Sequence, residues 1–164
     1  NNKKGFTLIE VVLVLAIGGL IFLLAFIAFQ QVSANRRDTQ RRSDAARLIA
    51  ELENFRVDTG GYPSAPTVSF ASESFAVPST NGLGTFVGSY LGGSSYTNPD
   101  GDTYVFAKDA GDYAISIALG GKGRAIQYGY GQKCNNGSFV SNTGSVAIIM
   151  NLEKGNVCRD TLGN

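Results

Sequence analysis

Histidine and tryptophan are absent from the 164 residues, methionine occurs once, and cysteine stands only at positions 134 and 158. Without histidine the commonest general base and the commonest zinc ligand are missing, and no Cys–His nucleophile can be assembled. Catalysis would have to run on carboxylates, lysine and hydroxyls, so the chain is not expected to be an enzyme, and no cofactor is expected. Charge is scarce as well. Fourteen Lys and Arg against 13 Asp and Glu leave +1, so no global basic field points to nucleic acid as a main partner.

What the chain does have is a long apolar run near its start. From Phe6 to Phe29 the only formal charge is Glu10, and as a helix the run would extend ~36 Å against ~30 Å of bilayer hydrocarbon. Lys3 and Lys4 would stay in water, Gly5 is a small residue beside which a peptidase could cut, and Glu10 falls about one turn inside the lipid. A carboxylate near the middle of a spanning helix costs roughly 2.5 to 3.5 kcal/mol and less near the interface, so a lone one calls for a partner. No partner is in reach downstream on the same helix. Cleavage after Gly5 would free an α-amino group at Phe6, and such a terminus on a neighbouring copy could meet Glu10 inside a bundle of apolar helices. While Asn1–Gly5 stay attached, that amine does not exist.

The heptapeptide G-F-T-L-I-E-V at 5–11, behind a basic leader and ahead of a long apolar run, resembles the processing site of type IV prepilins and pseudopilins. The resemblance implies removal of residues 1–5 by a prepilin peptidase, N-methylation of Phe6, and Glu10 as the acid that docks subunits. It also implies an α+β type IV pilin fold, one very long N-terminal helix whose C-terminal half packs on a small antiparallel sheet. The subunit would sit as a single pass in the inner or cytoplasmic membrane, pass through pilus assembly machinery, and end as a homo-oligomeric helical filament outside the cell. Twitching, adhesion and DNA uptake are the tasks of such filaments. Alternatives are a pseudopilin of a type II secretion or DNA-uptake machine, and a membrane-anchored binding module that never assembles. An ordinary secretory signal, with Val32-Ser33-Ala34 as its cleavage site, would carry a shorter apolar core and have no use for Glu10.

Within the run, Gly18 and Gly19 are the weak helical positions, each costing about 1 kcal/mol relative to alanine. Any softness should centre on them, since the proline that many pilins carry near Ile27 is missing. Residues 30–59 are read as the second half of the same helix. From Gln30 to Asp44 the sequence is polar all round, without proline or glycine, and Asp38 faces Arg41 and Arg42 at i+3 and i+4. Arg36, Arg37, Arg41, Arg42 and Arg47 have a functional reading as a DNA-contacting or lipid-headgroup patch; the plainer and preferred reading is a solvated helical collar. Taken alone these arginines would hold the C-terminal part in the cytoplasm, but a cysteine pair in a Gly/Ser/Thr/Asn-rich domain suits an oxidising exterior.

Ala45, Leu48, Ile49, Leu52 and Phe55 then recur at helical spacing, an apolar stripe for a sheet to cover. Gly60-Gly61-Tyr62-Pro63 ends the helix, with glycine free to take a left-handed cap. Residues 60–164 are expected to form one β-rich extracellular domain. Residues 64–103 read as a long connection with one helical turn and little sheet. Strands are expected over Tyr104–Ala107, Asp112–Leu119, Arg124–Tyr130 and Val146–Leu152, with Tyr113, Ile115, Ile117 and Leu119 giving the bulky face that covers the stripe. A Cys134–Cys158 bridge would close about 25 residues and stabilise the C-terminal segment by ~3 to 4 kcal/mol. Asp100, Asp102, Asp109 and Asp112 could offer oxygens to calcium, yet the ligand ladder of an EF-hand is not matched, and turn chemistry explains Asn98-Pro99-Asp100-Gly101-Asp102 as well.

Overall fold

The computed structural model describes residues 5–64, 82–93, 96–107 and 123–163. The chain divides into two compact units, Asn1–Arg36 and Arg37–Asn164. Helix α1 spans Leu8–Thr59 and runs unbroken through Gly18 and Gly19. It ends where turn chemistry says it must. Gly60 takes φ 83°, its N–H donates to the Arg56 carbonyl at 2.8 Å, and the Thr59 hydroxyl donates to the Phe55 carbonyl at 2.7 Å.

In the second unit the expected stripe is the floor of the core. Ala45, Leu48, Leu52 and Phe55 are buried and Ile49 packs against them. Where a single helical turn was expected, α2 (Leu83–Tyr90) makes two turns. Its glycines, serine and threonine are poor helix formers, but Leu83, Phe86, Val87 and Tyr90 fall on one face, and tertiary packing overrides propensity. Phe86 and Tyr90 both meet the Phe55 ring edge-on, at centroid distances of 5.7 and 5.4 Å.

Four strands follow: β1 (Val105–Ala107), β2 (Ala125–Asn135), β3 (Ser138–Asn151) and β4 (Asn156–Asp160), hydrogen-bonded in that order. The α+β architecture is the expected one, but the sheet is mixed rather than wholly antiparallel, because β1 pairs with β2 in parallel. Parallel neighbours need a crossover of about a dozen residues or more, and 108–124 is long enough to supply it. The expected strand Asp112–Leu119 lies outside the described residues. Among the described residues the stripe packs in one core with Ile126 and Tyr128 of β2 and Val146, Ile148 and Met150 of β3.

β2 and β3 are joined at Asn136-Gly137, both with positive φ (49° and 77°), the twist-matched two-residue hairpin. A register shift between Tyr130 and Gln132 bends the ladder, and the hairpin's outer part folds back so that the Phe139 ring covers Gly129. A side chain at Gly129 would start 2.6 Å from the Gln132 Oε1 and 3.0 Å from that ring, so both side chains would have to shift to admit one. β3 is consequently buried on both faces from Ser145 to Met150. β4 was not foreseen; it pairs antiparallel with the end of β3.

Candidate functional site

Gly5, Phe6 and Thr7 precede the helix in non-helical backbone, so the Gly5–Phe6 peptide lies outside the α1 hydrogen-bond ladder, with Gly5 open on all sides and Phe6 91 % exposed. Helix α1 begins with a reciprocal cap. The Thr7 N–H and hydroxyl donate to Glu10 Oε2 at 2.9 and 2.8 Å, and the Glu10 N–H faces the Thr7 Oγ1 at 3.4 Å. This is the capping box that T-x-x-E spells, two early donors of the helix satisfied by side chains. The hydrogen-bonding partner of Glu10 thus lies upstream, at Thr7, just before the helix. Thr7 supplies hydrogen bonds and no charge, and among the described residues no cation pairs with Glu10.

Beyond the cap, every large apolar side chain from Leu8 to Val32 is exposed, the least so being Val11 at 49 %. By length and composition α1 can cross a membrane. An apolar surface of this size left bare by its own chain marks a lipid or protein contact.

The arginines separate into two kinds. Arg41 is fully buried, and its guanidinium lies 3.3 Å from each of Asp38, Asp100 and Glu153. Gly123, at φ 89°, lies against it so closely that a Cβ would come within 2.3 Å of the guanidinium carbon. Glu153 also pairs with Arg37 at 3.1 Å, and its own N–H donates to Asp38 at 2.8 Å. The solvated collar is therefore corrected at Arg41, and at Arg37 in part. These two tie α1 to the β3–β4 turn and to the Asn98–Asp102 turn, which removes Arg41 from any DNA-contacting role. Arg36, Arg42 and Arg47 are exposed, with Arg47 5.9 Å from the centre of the Tyr96 ring.

Of the calcium candidates, only Asp100 and Asp102 lie among the described residues. Asp100 pairs with Arg41, and the turn that carries it is closed by Asn98, whose Oδ1 accepts the N–H groups of Asp100 and Asp102 at 3.1 and 2.9 Å. Asp109 and Asp112 lie outside the described residues. Among the described residues no three acidic or cysteine side chains gather as a metal site.

Cys134 and Cys158 form a disulfide, with Cα atoms 5.8 Å apart. It pins β2 to β4 next to two further ties, the Cys134 N–H to Asp160 Oδ2 at 2.8 Å and Asn156 Nδ2 to the Gly137 carbonyl at 3.2 Å. Deeper in the unit, tyrosine hydroxyls satisfy the polar groups of α1 and its exit. Tyr104 donates to Asp44 Oδ2 at 2.6 Å, Tyr96 to the Asp44 carbonyl at 2.9 Å, and Tyr128 to the Pro63 carbonyl at 2.5 Å. Burial pushes all three hydroxyls well above the ordinary tyrosine value, the bond to Asp44 adding to the effect at Tyr104. Burial also raises the Asp44 carboxyl, against the Tyr104 bond and the Arg47 charge.

Residues 1–26 match the family model of the prokaryotic N-terminal methylation motif. The chain carries a prepilin-like leader. No curated protein and no solved structure matches it. Such a leader is the mark of type IV pilins and pseudopilins, a structural family, and it implies processing by a prepilin peptidase and its assembly machinery. Together with the apolar helix it fits a membrane-anchored prepilin.

Proposed function

We propose that this prepilin is the structural subunit of a type IV pilus filament. Residues 1–5 are the leader, cut after Gly5; residues 6–29 anchor the subunit in the membrane and later form the filament core; residues 30–59 and 60–164 belong to the part displayed outside the cell. The observation that carries this reading is the bare apolar length of α1 behind a peptide bond free of helix structure. Packing such helices against one another removes apolar area from lipid or water without new chemistry. Glu10 sets the register, since its charge is uncompensated by its own cap, and the ammonium freed at Phe6 of a neighbouring subunit supplies what Thr7 does not.

The test is the N-terminal mass of the surface-exposed protein, with electron microscopy of what the cells shed. A methylated Phe6 terminus on helical filaments made of this chain is the expected result. An intact leader, or a first residue at Asn35, overturns the reading. Mature subunits without shed filaments also overturn it and point instead to a pseudopilin.

A further inference from the structure

Between α1, the β2–β3 turn and β4, all within the second unit, lies an open concavity of about 530 Å³. Arg42 of α1 and Arg159 of β4 line it, with Asn135 and Asn136 from the turn, Asn156 from β4, and the disulfide. Among the described residues no carboxylate contributes to the lining. The nearest acid in sequence, Asp160, is buried and turned to backbone, its two oxygens accepting the Cys134 and Leu162 N–H groups at 2.8 and 3.0 Å. Among the described residues neither Arg42 nor Arg159 has an ion-pair partner, whereas Arg37 and Arg41 on the same stretch of α1 do. The turn that presents Asn135 and Asn136 is fixed from three sides, by the disulfide, the Asn156–Gly137 bond and the Cys134–Asp160 bond. Among the described residues two arginines without ion-pair partners thus flank three amides, two of them on a turn tied in place.

We propose that this groove binds acidic polysaccharide, its guanidinium groups taking sugar carboxylates and its amides the neighbouring hydroxyls. A guanidinium presents parallel N–H donors that match a carboxylate, and an asparagine amide offers both a donor and an acceptor, as a sugar hydroxyl requires. Nucleic acid is the poorer fit on two counts. Among the described residues no aromatic ring lines the groove to stack a base, a contact worth about 1–3 kcal/mol per base. Two cations would also release few counterions, where tight non-specific binding rests on roughly six to ten phosphate contacts.

The test uses the full chain in detergent micelles and calorimetric titration with a galacturonate hexasaccharide, beside a neutral dextran of the same length and a single-stranded hexadeoxynucleotide. The uronate should bind and the dextran should not. Arg42→Gln or Arg159→Gln should each weaken uronate binding about tenfold, the loss of one charge-assisted contact. Both side chains are exposed and unpaired, so the fold should survive; an unchanged melting temperature verifies that, and Arg36→Gln should leave the affinity alone. The proposal is overturned if the uronate fails to bind, if it binds equally well to both variants, or if the oligonucleotide binds more tightly than the uronate through the same two arginines.

Discussion

Thr7 and Glu10 cap each other at the first turn of α1, with Glu10 Oε2 2.9 Å from the Thr7 nitrogen and 2.8 Å from its hydroxyl. One side chain therefore has two separable duties, starting the helix and carrying a charge. Gln at the same place keeps the first and loses the second, because Glu and Gln both complete a capping box. Glu10→Gln should leave the helix start intact yet abolish filaments, while Glu10→Ala should fail on both counts. Circular dichroism of the full chain in micelles reads the first duty and filament yield the second. Normal filaments from Glu10→Gln would mean that the cap, and not the charge, is what assembly needs.

Arg41 should be the costliest single truncation in the second unit. Removing it leaves Asp38, Asp100 and Glu153 without their shared cation and empties the buried guanidinium site; breaking a fully buried pair costs about 3–5 kcal/mol, and the partial exposure of the three acids puts this loss at or below the lower end. Asp100→Asn should cost less than about 1 kcal/mol, since Asp100 is 46 % exposed and water replaces its partner. Thermal melts of the two variants should differ accordingly, and a melting temperature unmoved by Arg41→Ala would refute the clamp.

How much of this is written in the sequence follows from distance along the chain. The stripe from Ala45 to Phe55 and the Gly60 cap are local, a period and a turn, and both stand as read. Two other local signals are passed over because louder ones hide them: the T-x-x-E of the cap sits inside a motif that draws attention to docking, and Asn136-Gly137 is a hairpin signal inside a cysteine loop. Arg41 was illegible as a buried group, because its partners Asp100 and Glu153 stand 59 and 112 residues away and its own neighbours are polar all round. Strand direction is equally hidden. Nothing in Val105–Ala107 distinguishes a parallel from an antiparallel partner, and the outcome depends on the path of the intervening chain.

Asp44 should give the second unit a pH dependence of definite sign. Burial raises its carboxyl above the ordinary 3.8, so the folded protein holds that proton more tightly than the unfolded chain does. Its contribution to stability is then complete below 3.8 and is lost as pH rises through the raised value. Asp44→Asn keeps an acceptor for the Tyr104 hydroxyl and removes the titration. The variant should melt above the wild type at neutral pH, and the gap should close as pH falls towards 3.8. A gap that is constant with pH would show that Asp44 titrates normally in the fold.

The disulfide closes a loop with a sequence separation of 24 around the β2–β3 turn, the whole of β3 and the first half of β4. In the loop-entropy model a closure of that length stabilises by about 3.5 kcal/mol, chiefly by narrowing the unfolded ensemble. The bridge has a second, local effect, since it is one of three ties holding the folded-back hairpin tip over Gly129. Cys134→Ser with Cys158→Ser should therefore lower the melting temperature and, at temperatures where the core remains folded, expose the Asn135–Ser138 turn to protease first. The stripe packed against Ile126 and Ile148 does not depend on the bridge, so far-ultraviolet dichroism should be retained at low temperature. Cleavage that begins elsewhere, or a melt unchanged by the double substitution, would mean that the Asp160 and Asn156 ties hold the tip by themselves.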